Sequence, residues 1–238
     1  MSSKTRNKII QCAKDHNGTH EGFGQGELKP YRSETRKFLV GSQMRAVFTN
    51  DKGEDKADKL YVGGICHTMS LYWLGHKTNT HIKKSGSKEV QNFWDWLKPN
   101  GNFEEAAANV LILKTVMYKA KGAGATAAGI VKDSGMDDRF FLKYGLKRSV
   151  KKLNNAFQIG YAMHTTDMQF VMISYSGDAS GHACAFFNNH ARVIYFDPNY
   201  GEFSFRSSFD AYDFYNDYLD VSKYRTKYKD VTGTIYTY

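Results

Sequence analysis

The chain has 238 residues, a net charge of +9, 41% hydrophobic residues and 15% aromatic residues. This suits one domain with a polar extension and gives enough apolar side chain for a sizeable core. No run approaches the ~18 apolar residues of a membrane span, the three cysteines (Cys12, Cys66, Cys184) make no disulfide framework and suggest a reducing compartment, and residues 1–8 lack the apolar region of a Sec-type signal peptide.

Residues 1–30 are polar and carry Gly22, Gly24 and Gly26. They read as a flexible arm, extended to residue 35 as a secretion region, with residues 36–238 as the folded domain. Their large apolar side chains (Ile9, Ile10, Phe23, Leu28) are too few to anchor a core. His16 and His20 show no partner cluster, so no metal site is expected. Apolar runs at 36–49 enter the core, and the charged stretch 50–56 reads as a loop. A helix is predicted from about Cys66, because Ile65, Met69 and Trp73 fall four apart on one stripe. It gives way to a loop from Gly75 to Gly86. Ser87 caps a second helix that runs through Leu97, with Pro99 beyond its end. Asn102 and Glu105 form a capping-box-like start to a helix through Lys119. The small-residue stretch 122–129 ends in no Gly-Lys-Ser/Thr and is therefore not a phosphate loop. Residues 134–152 read as a short helix and a basic helix. Strands follow at 170–175, from His182, up to Asp197, at 202–206 and over 231–238, with a Tyr/Phe-rich helix at 209–220. Helices first and an antiparallel sheet after them predict an α+β fold.

Two segments carry chemistry. In Gly63-Gly64-Ile65-Cys66 the glycines permit a tight turn or a close backbone approach, and the helix starts at the cysteine. A thiol at a helix N-terminus sits against the positive end of the dipole, which favours the nucleophilic thiolate. Taken alone, however, the position favours a small buried core cysteine. His67 adjoins it, but its place on the helix aims it elsewhere. Far downstream, Gly181-His182-Ala183-Cys184 and Tyr195-Phe196-Asp197-Pro198 flank the turn-like Asn188-Asn189-His190-Ala191. An antiparallel hairpin brings His182, at the start of one strand, beside Asp197, at the end of the other. A thiol, a distant imidazole and a polar group that orients the imidazole are what a thiol hydrolase requires. Cys184, two residues after His182, reads as core.

These blocks, with Ser70-Leu71-Tyr72-Trp73-Leu74 and Asn199-Tyr200-Gly201-Glu202-Phe203, resemble the YopT/AvrPphB-type cysteine proteases over roughly residues 60–210. The resemblance implies a papain-like fold, with the helical part that carries the nucleophile packed on an antiparallel sheet. It implies Cys66 as nucleophile, His182 as base and Asp197 as orienting group, with no metal and no cofactor. It also implies a virulence effector that leaves a bacterium without a Sec-type signal, acts as a monomer in the host cytoplasm and cleaves a signalling protein such as a small GTPase or a kinase. The Cys66 backbone N–H is one expected oxyanion donor; the second is unassigned.

Two other readings compete. The same triad can deamidate glutamine or transfer an acyl group to an amine, because each route passes through a thioester. In a non-enzymatic reading, the clusters Lys143-Lys147-Arg148-Lys151-Lys152 and Lys223-Arg225-Lys227-Lys229 bind an anionic surface and Cys66 is core. Contact with a membrane surface fits that charge. No zinc-finger spacing or RNP-like motif points to nucleic acid.

Overall fold

A computed structural model describes residues 3–22, 65–82, 92–99, 134–165, 167–178 and 181–238, with 104, 106, 107, 110 and 111. The elements run α1 (Ser3–Asp15), β1 (Thr19–Glu21), α2 (Cys66–Ile82), α3 (Phe93–Leu97), α4 (Ser134–Leu142), β2 (Lys147–Leu153), α5 (Ala156–His164), β3 (Gln169–Ser176), β4 (Gly181–Asn188), β5 (Val193–Asp197), β6 (Gly201–Phe205), α6 (Ser208–Val221), α7 (Tyr224–Lys227) and β7 (Asp230–Thr237). The described strands form one sheet in the order β1-β6-β5-β4-β3-β7-β2. Every pairing in it is antiparallel.

Both faces of the sheet are covered, which is why β3 to β5 read as unbroken apolar runs. Alternation sorts their side chains into two cores. Val171, Ile173, Cys184, Phe186, Val193 and Tyr195 face a layer made of α1, α5 and α6. Phe170, Met172, Ala185, Phe187, Ile194 and Phe196 face the layer of α2 and α3. The expected α+β arrangement, a helical layer with Cys66 packed on an antiparallel sheet, is the one observed. Among the described residues no helix is long and apolar enough to cross a membrane.

Four expectations need correction. Residues 3–22 are not a flexible arm: they form α1 and β1, with Ile9 and Ala13 fully buried and β1 paired to β6. Few apolar residues suffice there because α1 lies against α6 and shares its core. The proposed boundary at residue 35 lies outside the described residues. The helix from Cys66 does not stop at Gly75 but continues to Ile82. Gly75 marks a close approach, since a Cβ there would stand 2.8 Å from the Tyr144 ring. The basic stretch 147–153 is an edge strand, not a helix, set by its pairing with β7. The helix that ends at Leu97 starts only at Phe93, where Asn92 caps it by accepting a hydrogen bond from the Asp95 N–H, and Ser87 lies outside the described residues. The readings at 36–56, at 83–91, over most of 102–119 and at 122–129 fall outside the described residues.

Candidate active site

Cys66 is the first residue of α2 and is buried. Met69 and Trp73, one and two turns on, are fully buried and hold the helix against the sheet. The Ser70 hydroxyl donates to the Ala183 carbonyl at 3.3 Å, which ties the same turn to β4. A second anchor is the Glu202 carboxylate on β6. It accepts from Trp73 Nε1 at 2.7 Å and Trp94 Nε1 at 3.1 Å, and it pairs with Lys77 Nζ at 2.8 Å. Trp73 also stacks on Phe196 at 5.1 Å. One carboxylate thus fixes α2 and α3 on the sheet. Glu202→Ala leaves Lys77 and two indole N–H groups without their acceptor and should cost about 3–5 kcal/mol in denaturant-induced unfolding. A change below ~1 kcal/mol would show that the anchor is dispensable.

His182 opens β4 and Asp197 closes β5. The register sets Ala185 opposite Phe196, so the next residue along β5, Asp197, comes within reach of β4. Asp197 Oδ1 accepts from His182 Nε2 at 3.0 Å. Both side chains are almost completely shielded from water. Asp197 is held by more than the imidazole. The Asn199 backbone N–H donates to Oδ1 at 2.6 Å, while the Tyr224 hydroxyl at 2.9 Å, the Cys184 thiol at 3.2 Å and the Tyr218 hydroxyl all donate to Oδ2. The Asn199 amide in turn donates to the Tyr224 hydroxyl at 2.9 Å.

Burial favours the neutral form of all three groups, but their mutual attraction overrides it. Burial raises the Asp197 carboxyl, yet the His182 charge and the hydrogen bonds from His182, Tyr218 and Asn199 bring it below its ordinary value. Burial lowers the His182 imidazolium, yet Asp197 first, then Cys184 and Cys66, hold it well above its ordinary value. Burial raises the Cys66 thiol, yet the His182 charge, a hydrogen bond with the ring and one from the Ala183 backbone bring it below its ordinary value. These shifts favour a thiolate at Cys66 and an imidazolium at His182, whose Nε2 meets the Asp197 carboxylate.

The three residues singled out in the sequence therefore lie together. His67 points away: its Nε2 meets Asp137 Oδ2 at 3.0 Å, so α4 holds it off the His182 side, and it adds only a small favourable charge to Cys66. Cys184 is core, as expected, but also a donor to Asp197. Burial and the neighbouring carboxylate push its thiol up to about 12, which removes it as a rival nucleophile. Tyr218, Tyr224 and Asn199 were missed in the sequence. A Tyr in an amphipathic helix reads as core, and nothing local shows that two hydroxyls converge on one carboxylate.

Residues 32–232 match the Peptidase_C58 family model, described as Yersinia/Haemophilus virulence surface antigen. The chain belongs to this family. The cysteine protease yopT1 of Yersinia enterocolitica serotype O:8 / biotype 1B is 29% identical over 157 residues, covering 65% of this chain and 41% of that protein. The cysteine protease YopT of Yersinia pseudotuberculosis serotype I is 26% identical over 178 residues, covering 73% of this chain and 47% of that protein. The crystal structure of the Pseudomonas avirulence protein AvrPphB is similar over 73% of this chain and 92% of that one, with 16% identity and a TM-score of 0.48. The likeness to the YopT proteases, read above from short blocks, covers 65% to 73% of the chain. The chain spans less than half the length of the yopT1 and YopT proteins it matches.

Proposed function

We propose that this chain is a cysteine endopeptidase with Cys66 as nucleophile, His182 as acid and base and Asp197 as orienting group. The observation that carries this reading is the buried Cys66–His182–Asp197 arrangement, in which charge stabilisation outweighs desolvation at every member. The Cys66 thiolate attacks the scissile carbonyl carbon, and the resulting oxyanion is met by the Cys66 backbone N–H at the start of α2. His182 gives its proton to the departing amine as the C–N bond breaks, leaving a thioester. Neutral His182 then takes a proton from water, hydroxide attacks the thioester, and the peptide acid and thiolate are regenerated. Asp197 keeps Nε2 protonated throughout and leaves Nδ1 for the thiol. The names of the relatives, cysteine proteases and an avirulence protein of pathogens, support an effector that cuts a protein of the host. The family resemblance suggests a small GTPase or a kinase as substrate, and the net charge of +9 weighs against the polybasic tail of a GTPase.

The pH dependence follows from the signs. Cys66 lies below its ordinary value, so its thiolate persists until the pH falls through that lowered value. His182 lies above its ordinary value, so the imidazolium is lost only as the pH rises through that raised value. The ion pair occupies the window between the two, and the limbs belong to the coupled pair. Cys66 should therefore be alkylated by iodoacetamide at about pH 6, where an ordinary thiol of pKa ~8.5 is almost wholly protonated. Peptide mapping should place the label on Cys66, with Cys12 and Cys184 unlabelled. An alkylation rate that rises only through the ordinary thiol range would remove the ion pair.

A further inference from the structure

A second cluster of reactive side chains lies on the far side of the sheet from α2. Cys12 and His16 are four apart at the end of α1, so they share one face of that helix. Asn17 then turns the chain through a left-handed conformation at φ 56°, which leaves His16 in the last turn, facing α6. Asp217 of α6 completes the group. Its Oδ2 lies 2.9 Å from His16 Nε2, and one ligand atom from each of Cys12, His16 and Asp217 lies within 4.8 Å of the others. The three line a groove of about 390 Å³, together with Lys8, Gln11, Asp15, Asp220 and Val221.

We propose that Cys12, His16 and Asp217 bind a thiophilic divalent cation of the zinc class, which staples α1 to α6. The donor set is one sulfur, one imidazole nitrogen and one carboxylate oxygen, which is the chemistry zinc selects, with solvent in the groove for the fourth tetrahedral position. Coordination bonds of roughly 2.0–2.3 Å need the three atoms drawn around a common centre. Cys12 is buried and fixed, whereas Asp217 is 63% exposed and free to adjust. Charge favours a cation. The carboxylates of Asp217 and Asp15 both line the groove beside Cys12 and supply negative charge to a bound cation. Asp220 also faces the groove, with one oxygen engaged by Arg225 at 2.8 Å, and Asp15 is engaged by Gln11 at 2.8 Å. Lys8 is the opposing charge. Binding replaces the Cys12 thiol proton with the metal, and that proton passes to solvent, while His16 ligates through Nε2 as a neutral imidazole with its ring proton on Nδ1.

The test is titration of the chelator-treated full chain with Co²⁺ alone, followed by absorption. One equivalent should bind with a thiolate-to-cobalt charge-transfer band. The band should persist in Cys66→Ala and Cys184→Ala and vanish in Cys12→Ala. His16→Gln, which trims only a partly exposed ring and spares the core, should weaken binding by at least about tenfold. Zn²⁺ should raise the melting temperature of wild type and Cys66→Ala alike, by mass action on the folded state, but not that of His16→Gln. Absence of the band, its persistence in Cys12→Ala, or its loss in Cys184→Ala would each overturn the site. The last outcome would place the metal at the His182–Cys184–Asp197 cluster instead.

Discussion

Cys66→Ala and His182→Ala should each lower kcat/KM on a protein substrate by roughly four orders of magnitude or more. Their effects on stability should differ, and that asymmetry follows from the site. Cys66 sits at the start of α2, where alanine is a good helix former and removes only a sulfur, so Cys66→Ala should unfold within about 1 kcal/mol of wild type. His182 is the charged partner of a carboxylate with no exposure. Removing it leaves Asp197 with the Tyr218, Tyr224, Cys184 and Asn199 donors but no counter-charge, a loss of about 3–5 kcal/mol at most. Denaturant midpoints read alongside single-turnover rates separate loss of chemistry from loss of fold. Turnover of Cys66→Ala near wild type would end the assignment of the nucleophile.

Asp197→Asn should reduce the rate by two to three orders of magnitude, less than either change above. In the proposed mechanism the carboxylate does not enter bond-making but fixes which imidazole nitrogen carries the proton, a role worth about four orders of magnitude in the serine-protease template. A thiol partner lowers that dependence, because a Cys–His ion pair can form without help from the third member. Asparagine is also a poor mimic at this position. Each carboxylate oxygen faces only donors: His182 and Asn199 at one, Tyr218, Tyr224 and Cys184 at the other. An amide must turn its NH₂ toward one of these sets, so donor meets donor. The expected companion is a stability loss of about 1–3 kcal/mol. If Asp197 shaped only the turn before Pro198, activity would stay within a few-fold of wild type.

Local pattern and tertiary contact account for what the sequence did and did not reveal. Cys66, His182 and Asp197 lie at the ends of elements whose signals are strong: an apolar stripe at helical spacing, and two apolar β runs around a polar turn. Element ends place side chains, so the hairpin alone puts His182 beside Asp197. Tyr218 and Tyr224 escape notice because they come from the helices after β6 and act only through their hydroxyl tips. Strand β2 lacks an apolar alternation, since it is an edge strand with only Leu153 buried, and its basic residues therefore read as a helix face. Helix α1 reads as disordered because its few apolar residues find their partners some two hundred positions later, on α6. Gly75 reads as a break because the Tyr144 ring that it accommodates is also distant in sequence.

The most direct measurement is mapping of protein N-termini in a host-cell lysate treated with wild-type protein or with Cys66→Ala. Endopeptidase chemistry predicts a small set of new N-termini that appear only with wild type and share a residue pattern around the cut. Identical N-termini in the two samples, or a mass change of about one dalton on a partner protein with no chain cleavage, would contradict it.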